Sequence, residues 1–91
     1  MRATRFLIEG RVQGVGYRDW LRREAMARGL KGTVRNLPDG RVEAVVVGST
    51  EATDALLAAC RKGPVSAKVT GIGLDPAEDP GVEGFIVLPT A

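Results

Sequence analysis

The chain has 91 residues, enough for one domain and too few for two. Hydrophobic residues make up 44% and charged residues 26%, which is the balance of a soluble globular protein and excludes a disordered or fibrous chain. Thirteen basic residues stand against eleven acidic ones, and the resulting net charge of +2 is too small by itself to indicate nucleic-acid binding.

Two residue counts limit the chemistry. The sequence contains no histidine, so histidine acid–base catalysis is excluded, and its carboxylates show no metal-ligand spacing. The single cysteine, Cys60, cannot form an internal disulfide, which agrees with a reducing compartment. Near the N-terminus only residues 6–8 form an unbroken apolar run, so no signal peptide or membrane span is predicted. We expect a cytoplasmic protein.

The first half of the chain reads as a strand, a helix and a hairpin. Residues 4–12 alternate like a strand, and glycines end it. A helix should begin at Arg18 or Asp19 and end at Gly29. Its buried stripe consists of Tyr17, Leu21 and Ala25. Residues 31–48 then form a hairpin around Pro38-Asp39-Gly40, so Asn36 falls at the end of the second strand.

The second half supplies another helix and two strands. Ser49 or Thr50 caps the helix, and Gly63-Pro64 ends it. Its predicted buried stripe is Ala52, Leu56, Ala59 and Cys60. "SAKVTGIGLD" (residues 66–75) is a fourth strand, "PAEDPG" (76–81) an acidic turn, and "VEGFIVL" (82–88) a short last strand.

This order of elements predicts a single domain, residues 1–91, of mixed α/β (α+β) class. The sequence β-α-β-β-α-β, with right-handed crossovers, places both helices on one face of a mainly antiparallel sheet. We therefore expect a ferredoxin-like sandwich with a short extra C-terminal strand. That fold alone does not indicate a function.

The stretch "IEGRVQGVGYRDW" (residues 8–20) combines three glycines with an arginine at a helix start. Glycines let successive backbone N–H groups turn inward, the helix end adds partial positive charge, and Arg18 offers a planar fork for two oxygens. Together they indicate a site for a phosphate-sized anion. From the loop alone, a strand-to-helix corner with Arg18 in solvent explains the residues equally well.

Other glycine and phosphate motifs do not fit. A P-loop ends in Gly-Lys-Ser/Thr, whereas Gly16 is followed by tyrosine and arginine. The dinucleotide motif G-x-G-x-x-G fails at its third glycine, where Asp19 stands. A cysteine phosphatase requires an arginine at a fixed distance after the cysteine, and Ser66 occupies that position after Cys60.

Three segments together resemble the acylphosphatase family: "GRVQGVGYR", then "GTVRNLPDGRVE", and a closing "GFIV". The resemblance covers essentially the whole chain. It implies hydrolysis of acyl phosphates to a carboxylate and inorganic phosphate, without a metal or organic cofactor. It also implies a phosphate-binding segment made of Gln13, Gly14, Val15, Gly16, Tyr17 and Arg18. Arg18 and Asn36 would be the catalytic residues, with Asn36 positioning the attacking water.

The residues suit that chemistry. A carboxylate leaving group, with a pKa of about 4, departs at neutral pH without a general acid, so the lack of histidine is no obstacle. Backbone N–H groups and a permanently charged guanidinium can stabilise the phosphoryl oxygens in place of a metal. Asn36 can orient water but cannot act as a strong base. Tyr17 and Trp20 are expected to be packing residues, with Tyr17 also bracing the loop.

Two alternatives keep the fold and change the function. A ferredoxin-like nucleic-acid-binding module would display aromatic residues on its central strands, and "RVEAVVVG" has none. A non-catalytic anion-binding domain would keep the loop, and similar domains begin larger enzymes that handle carbamoyl phosphate. The end of this chain at Ala91 favours a free-standing enzyme. We expect a monomer that binds a small-molecule acyl phosphate and neither nucleic acid nor membrane.

Overall fold

A computed structural model describes residues 3–91 of the chain. The elements follow one another as β1 (Ala3–Arg11), α1 (Tyr17–Ala27), β2 (Lys31–Asn36), β3 (Val42–Val47), α2 (Thr50–Lys62), β4 (Lys68–Ala77) and β5 (Phe85–Val87). The strands form one sheet in the order β4-β1-β3-β2-β5. All neighbours are antiparallel except β2 and β5, which are parallel. The predicted ferredoxin-like fold with its extra C-terminal strand is confirmed.

Strand register decides which side chains meet the helices. Across the central strands, Phe6 lies opposite Ala44, and Ala44 lies opposite Val34. All three are fully buried in the core that both helices cover. The next row on the same face is Ile8, Val42 and Asn36. Asn36 therefore occupies a position where an apolar residue would continue the core. It lies in the last row in which β1 pairs with β3.

Helix α1 begins at Tyr17, slightly earlier than the sequence predicted, and buries the predicted stripe. The last helical residue is Ala27, and the predicted stop follows at Gly29, which has φ 70°. The Leu30 N–H donates to the Ala25 carbonyl at 3.0 Å and the Gly29 N–H to that of Met26 at 3.1 Å. These two bonds form a Schellman motif, which satisfies carbonyls that the last helical turn leaves open.

Helix α2 is capped by Ser49, whose Oγ accepts a hydrogen bond from the Ala52 N–H at 3.1 Å. Leu56 and Cys60 are fully buried, whereas Ala52 and Ala59 are partly exposed, so the buried stripe is narrower than predicted. Within residues 3–91, neither helix has the length and hydropathy needed to cross a bilayer.

Strand β4 extends further than the sequence predicted. Pro76 and Ala77 belong to the strand and lie opposite Thr4 and Ala3 of β1, rather than starting the acidic turn. The reason is the position of β4, which is an edge strand with one neighbour. Proline has no N–H to donate, and on an edge strand no second neighbouring strand needs that hydrogen bond. The start is correspondingly later, at Lys68 instead of Ser66.

Leu56 is expected to contribute strongly to stability because its side chain has no exposed surface. Replacing it with alanine leaves a cavity, and the free energy of unfolding should fall by about 2–5 kcal/mol. Leu74 on β4 is 49% exposed, so Leu74→Ala should cost less than about 1 kcal/mol. Urea unfolding of both variants measures the difference, and equal losses would contradict this assignment of the core.

Candidate active site

The segment between β1 and α1 takes its shape from two glycines. Gly14 has φ 73° and Gly16, the residue before α1, has φ 77° and ψ 17°. This left-handed conformation costs other residues roughly 1–2 kcal/mol each. A Cβ at either position would meet no atom within 4 Å, so the requirement for glycine is conformational. Alternation of left- and right-handed residues turns consecutive N–H groups toward one side.

These N–H groups are not satisfied by an acceptor in the part of the chain that the structure describes. From Gln13 to Asp19, no backbone N–H donates a hydrogen bond to any group within residues 3–91. Helix α1 also lacks a side-chain cap, in contrast to α2 with Ser49. The result is a row of unpaired donors at the positive end of a helix dipole, which favours an anion.

Arg18 adds a full positive charge at the same place. Its side chain is half-buried and makes no ion pair or hydrogen bond within the part of the chain that the structure describes. The neighbouring Asp19 carboxylate pairs instead with Arg23, at 3.5 Å. The Arg18 guanidinium is thus not neutralised by its neighbour.

A cavity of about 280 Å³ lies at this loop. Its lining residues are Val12, Gly14, Gly16, Tyr17, Arg18, Asp19 and Val87. Four of the residues predicted for phosphate binding are among them, whereas Gln13 and Val15 are not, and neither is Asn36. The volume is at the small end of ligand pockets and suits a phosphoryl group with a small substituent.

Sequence reasoning did not include three of the lining residues. Val12 and Asp19 directly flank the predicted segment, so both could have been predicted from their position next to it in the sequence. Val87 comes from β5, which pairs in parallel with β2 so that Val87 lies opposite Val34. No motif in the sequence indicates on which edge of the sheet that three-residue strand adds.

Gln13 fastens the loop to the β2–β3 turn. Its Nε2 donates to the carbonyl oxygens of Leu37 and Arg41, both at 2.9 Å. Leu37 follows Asn36 directly in the chain. The side-chain amide is therefore committed to the turn, and only the backbone of Gln13 remains for a ligand in the cavity.

Asn36 is 9% exposed, and its Oδ1 finds no donor within residues 3–91. Its backbone is paired, because its carbonyl accepts the Ala91 N–H at 3.0 Å and the residue lies opposite Val42 in the sheet. An unsatisfied buried acceptor costs roughly 1–3 kcal/mol. Asn36 thus holds a fixed amide acceptor that a donor from a ligand or a water would satisfy.

Tyr17 is buried, as its helical spacing predicted, and it holds the start of α1 against α2. Its ring is buried beside Trp20, with ring centroids 5.3 Å apart, and its hydroxyl donates to the Cys60 carbonyl at 2.8 Å. Burial, together with the neighbouring Cys60, raises the pKa of the phenol far above its ordinary value. The side chain is a neutral structural contact between the two helices.

Within residues 3–91, no three histidine, cysteine, aspartate or glutamate side chains are grouped to hold a metal ion. The donors at the cavity are instead N–H groups and one guanidinium, and the carboxylate in the lining, Asp19, is paired with Arg23. This set selects a negatively charged ligand and can place charge-stabilising hydrogen bonds around tetrahedral oxygens.

Comparison with known proteins supports the resemblance read from the motifs. A family model described as Acylphosphatase matches residues 4–87. The chain belongs to the acylphosphatase family. It is 57% identical over 72 residues to an acylphosphatase of Methylococcus capsulatus, an alignment covering 79% of this chain and 78% of that protein. With an acylphosphatase of Acidiphilium cryptum it shares 48% identity over 86 residues, which is 94% of each chain.

Solved structures agree with the sequence relatives. The crystal structure of the acylphosphatase from Bacillus subtilis superimposes with a TM-score of 0.91 at 36% identity. The match covers 97% of this chain and 99% of that one. The strand order and the loop after β1 therefore belong to an acylphosphatase domain.

Alkaline pH should destabilise the fold through Cys60. Burial raises the pKa of its thiol to about 12, compared with 9.0 for a free thiol. Because the unfolded chain loses this proton first, the free energy of unfolding should decrease as the pH rises from 9 toward 12. Cys60→Ala should lower stability at pH 7 but flatten its decrease between pH 9 and 10. Urea titrations at each pH measure both slopes, and identical slopes would contradict the assignment.

Proposed function

We propose that acyl phosphate hydrolysis by this acylphosphatase proceeds by direct attack of water on phosphorus. The backbone of residues 13–18 and the Arg18 guanidinium hold the phosphoryl group, and Asn36 positions the water. The observation that carries the proposal is the row of unpaired N–H groups beside an un-neutralised arginine at the cavity. A phosphoryl dianion satisfies both together.

Binding uses groups that the fold has already oriented. With Gly14 and Gly16 in the left-handed conformation, the loop N–H groups would converge on the phosphoryl group, which exchanges hydrogen bonds with water for fixed donors without a large reorganisation. Arg18 adds charge-assisted hydrogen bonds and stays protonated at every working pH. Asp19, which also lines the cavity, keeps its pairing with Arg23, and this pairing offsets its negative charge.

The chemical step needs little beyond position and charge. The water oxygen forms a bond to phosphorus while the bond from phosphorus to the acyl oxygen breaks, and the electron pair of that bond leaves on the carboxylate. The proton of the water passes to a phosphoryl oxygen. Developing charge on the equatorial oxygens is stabilised by the loop and Arg18.

Asn36 orients the water through its amide oxygen. Its buried Oδ1 has no competing donor within residues 3–91, so it can accept a hydrogen bond from the water and aim the opposite lone pair at phosphorus. An amide cannot take the proton, which is why the phosphoryl oxygen is the acceptor. This assigns binding to the loop and positioning to the end of β2.

The proposal also covers the oligomeric state, the cellular location and the partners of the enzyme. The family model covers residues 4–87, which supports a single acylphosphatase domain, and we propose that this domain is a monomer. Among the described residues, Phe6, Tyr17 and Phe85 are buried in the core, which leaves no aromatic platform for nucleic acid on the sheet. We propose a cytoplasmic enzyme for small acyl phosphates, with neither nucleic acid nor membrane as a partner.

Arg18→Ala should lower kcat/KM for benzoyl phosphate, assayed in EDTA, by at least about 100-fold, because it removes the charged donor from the developing oxyanion. Arg61→Ala is the matched control, since Arg61 is exposed in the last turn of α2 and the change in net charge is the same. Near-normal turnover in Arg18→Ala would disprove its role. Phosphate binding by an inactive wild type would indicate the non-catalytic anion-binding module.

Asn36→Ala should lower kcat by about 100-fold while the inhibition constant of inorganic phosphate changes less than about threefold, because the loop donors are untouched. Circular dichroism confirms that the variant is folded. A parallel loss of phosphate binding would mean that Asn36 shapes the loop instead of holding water.

The pH profile of kcat should show no inflection from an enzyme histidine between about pH 6 and 8, since the sequence contains no histidine. A pH dependence of kcat near that range is expected to come from the phosphate of the substrate. Steady-state kinetics with two acyl phosphates of different pKa test this, because an inflection that stays fixed when the substrate changes would point to an enzyme base.

A further inference from the structure

We infer that the Gln13 side chain is a positioning residue, which fixes the loop that binds phosphate relative to Asn36 without itself binding the substrate. The inference rests on the proposed roles of the loop and Asn36. It concerns a different contact from either role, namely the two hydrogen bonds that cross from the loop to the β2–β3 turn.

The geometry of the contact uses both protons of the Gln13 amide. Nε2 donates to the Leu37 carbonyl on one side of the turn and to the Arg41 carbonyl on the other, each at 2.9 Å. These two residues also close the turn, because the Leu37 N–H donates to the Arg41 carbonyl at 2.8 Å. Gln13 therefore binds at the base of the turn, one residue beyond Asn36.

Other ties to the loop lead elsewhere. The Ser66 hydroxyl donates to the Val15 carbonyl at 3.4 Å at an exposed position, and the Tyr17 hydroxyl holds the helix start to α2. Among the side-chain hydrogen bonds of residues 3–91, only those of Gln13 join the loop to the segment that carries Asn36. The two parts of the site lie 24 residues apart along the chain from Gln13 to Leu37.

The contact also selects glutamine chemically. Two carbonyl oxygens at 2.9 Å from one nitrogen require a group with two N–H donors, which a primary amide supplies. An ionised glutamate has no N–H to donate and would place its negatively charged oxygens against the two carbonyl oxygens. Asparagine has the same amide, but its side chain is shorter by one methylene. Aligned attack on phosphorus is sensitive to distance, and a displacement of about 1 Å can cost about 100-fold in rate.

Gln13→Met tests the inference, because methionine keeps the length of the side chain and removes both donors. We expect kcat for benzoyl phosphate to fall by about 10- to 100-fold while the inhibition constant of inorganic phosphate changes less than about threefold. Ser66→Ala is the control for loss of another loop contact and should leave both quantities unchanged within about twofold. If phosphate binding weakens as much as kcat falls, or if kcat is unchanged, the inference is overturned.

A double-mutant cycle separates this inference from the proposed function. If Gln13 acts through Asn36, Gln13→Met should reduce kcat less than about threefold in an Asn36→Ala background. An undiminished effect in that background would overturn the role of Gln13 and leave that of Asn36 intact. Near-normal turnover of Asn36→Ala alone would instead contradict the proposed function, and with it the inference.

Gln13→Lys tests whether restoring the two hydrogen bonds restores kcat. It also tests the inference if Gln13→Met does not fold. The lysine ammonium can donate to both carbonyls from a chain of similar reach. A kcat within about fivefold of wild type supports positioning through these two bonds. A tenfold or greater loss in a folded Gln13→Lys variant contradicts it.

Discussion

The left-handed backbone at Gly14 and Gly16 is the constraint on which the rest of the site depends. Only glycine takes this conformation without strain, and left-handed residues in such a loop turn neighbouring N–H groups toward one side. Helix α1 then starts without a side-chain cap, so its positive end stays open toward the same volume. The phosphate site that we propose would arise from this backbone geometry, and Arg18 would add a positively charged side chain beside it.

Two hydrogen-bonded contacts fix the loop relative to the rest of the fold. Tyr17 anchors its helical end to α2 through the Cys60 carbonyl, and Gln13 ties its other end to the turn beside Asn36. The sheet register completes the arrangement, because Asn36 lies in the row of Ile8 and Val42 on the core face. An amide in this buried row is costly for stability unless it serves a ligand, which fits a water-positioning role.

Much of this arrangement could be predicted from the sequence, and the limits have physical causes. Alternation and helical spacing predicted the elements, and the glycines with Arg18 predicted the anion-binding loop. The role of Asn36 came from resemblance, since an asparagine before a turn has an ordinary local explanation. Three features depend on which distant segments meet: the bonds from Gln13, the place of Val87 at the cavity, and the extension of β4 through Pro76. Local patterns carry no signal for edge pairing or for side-chain bonds across the fold.

In the proposed site the phosphoryl group lies in the loop and the attacking water lies next to phosphorus. Hydrolysis of benzoyl phosphate in ¹⁸O-enriched water, with the products separated and analysed by mass spectrometry, tests this arrangement directly. We predict that the label enters inorganic phosphate and that benzoate stays unlabelled, because the bond between phosphorus and the acyl oxygen is the one that breaks. Label in benzoate would mean that water attacks the acyl carbon, and it would contradict the site described for Arg18 and Asn36.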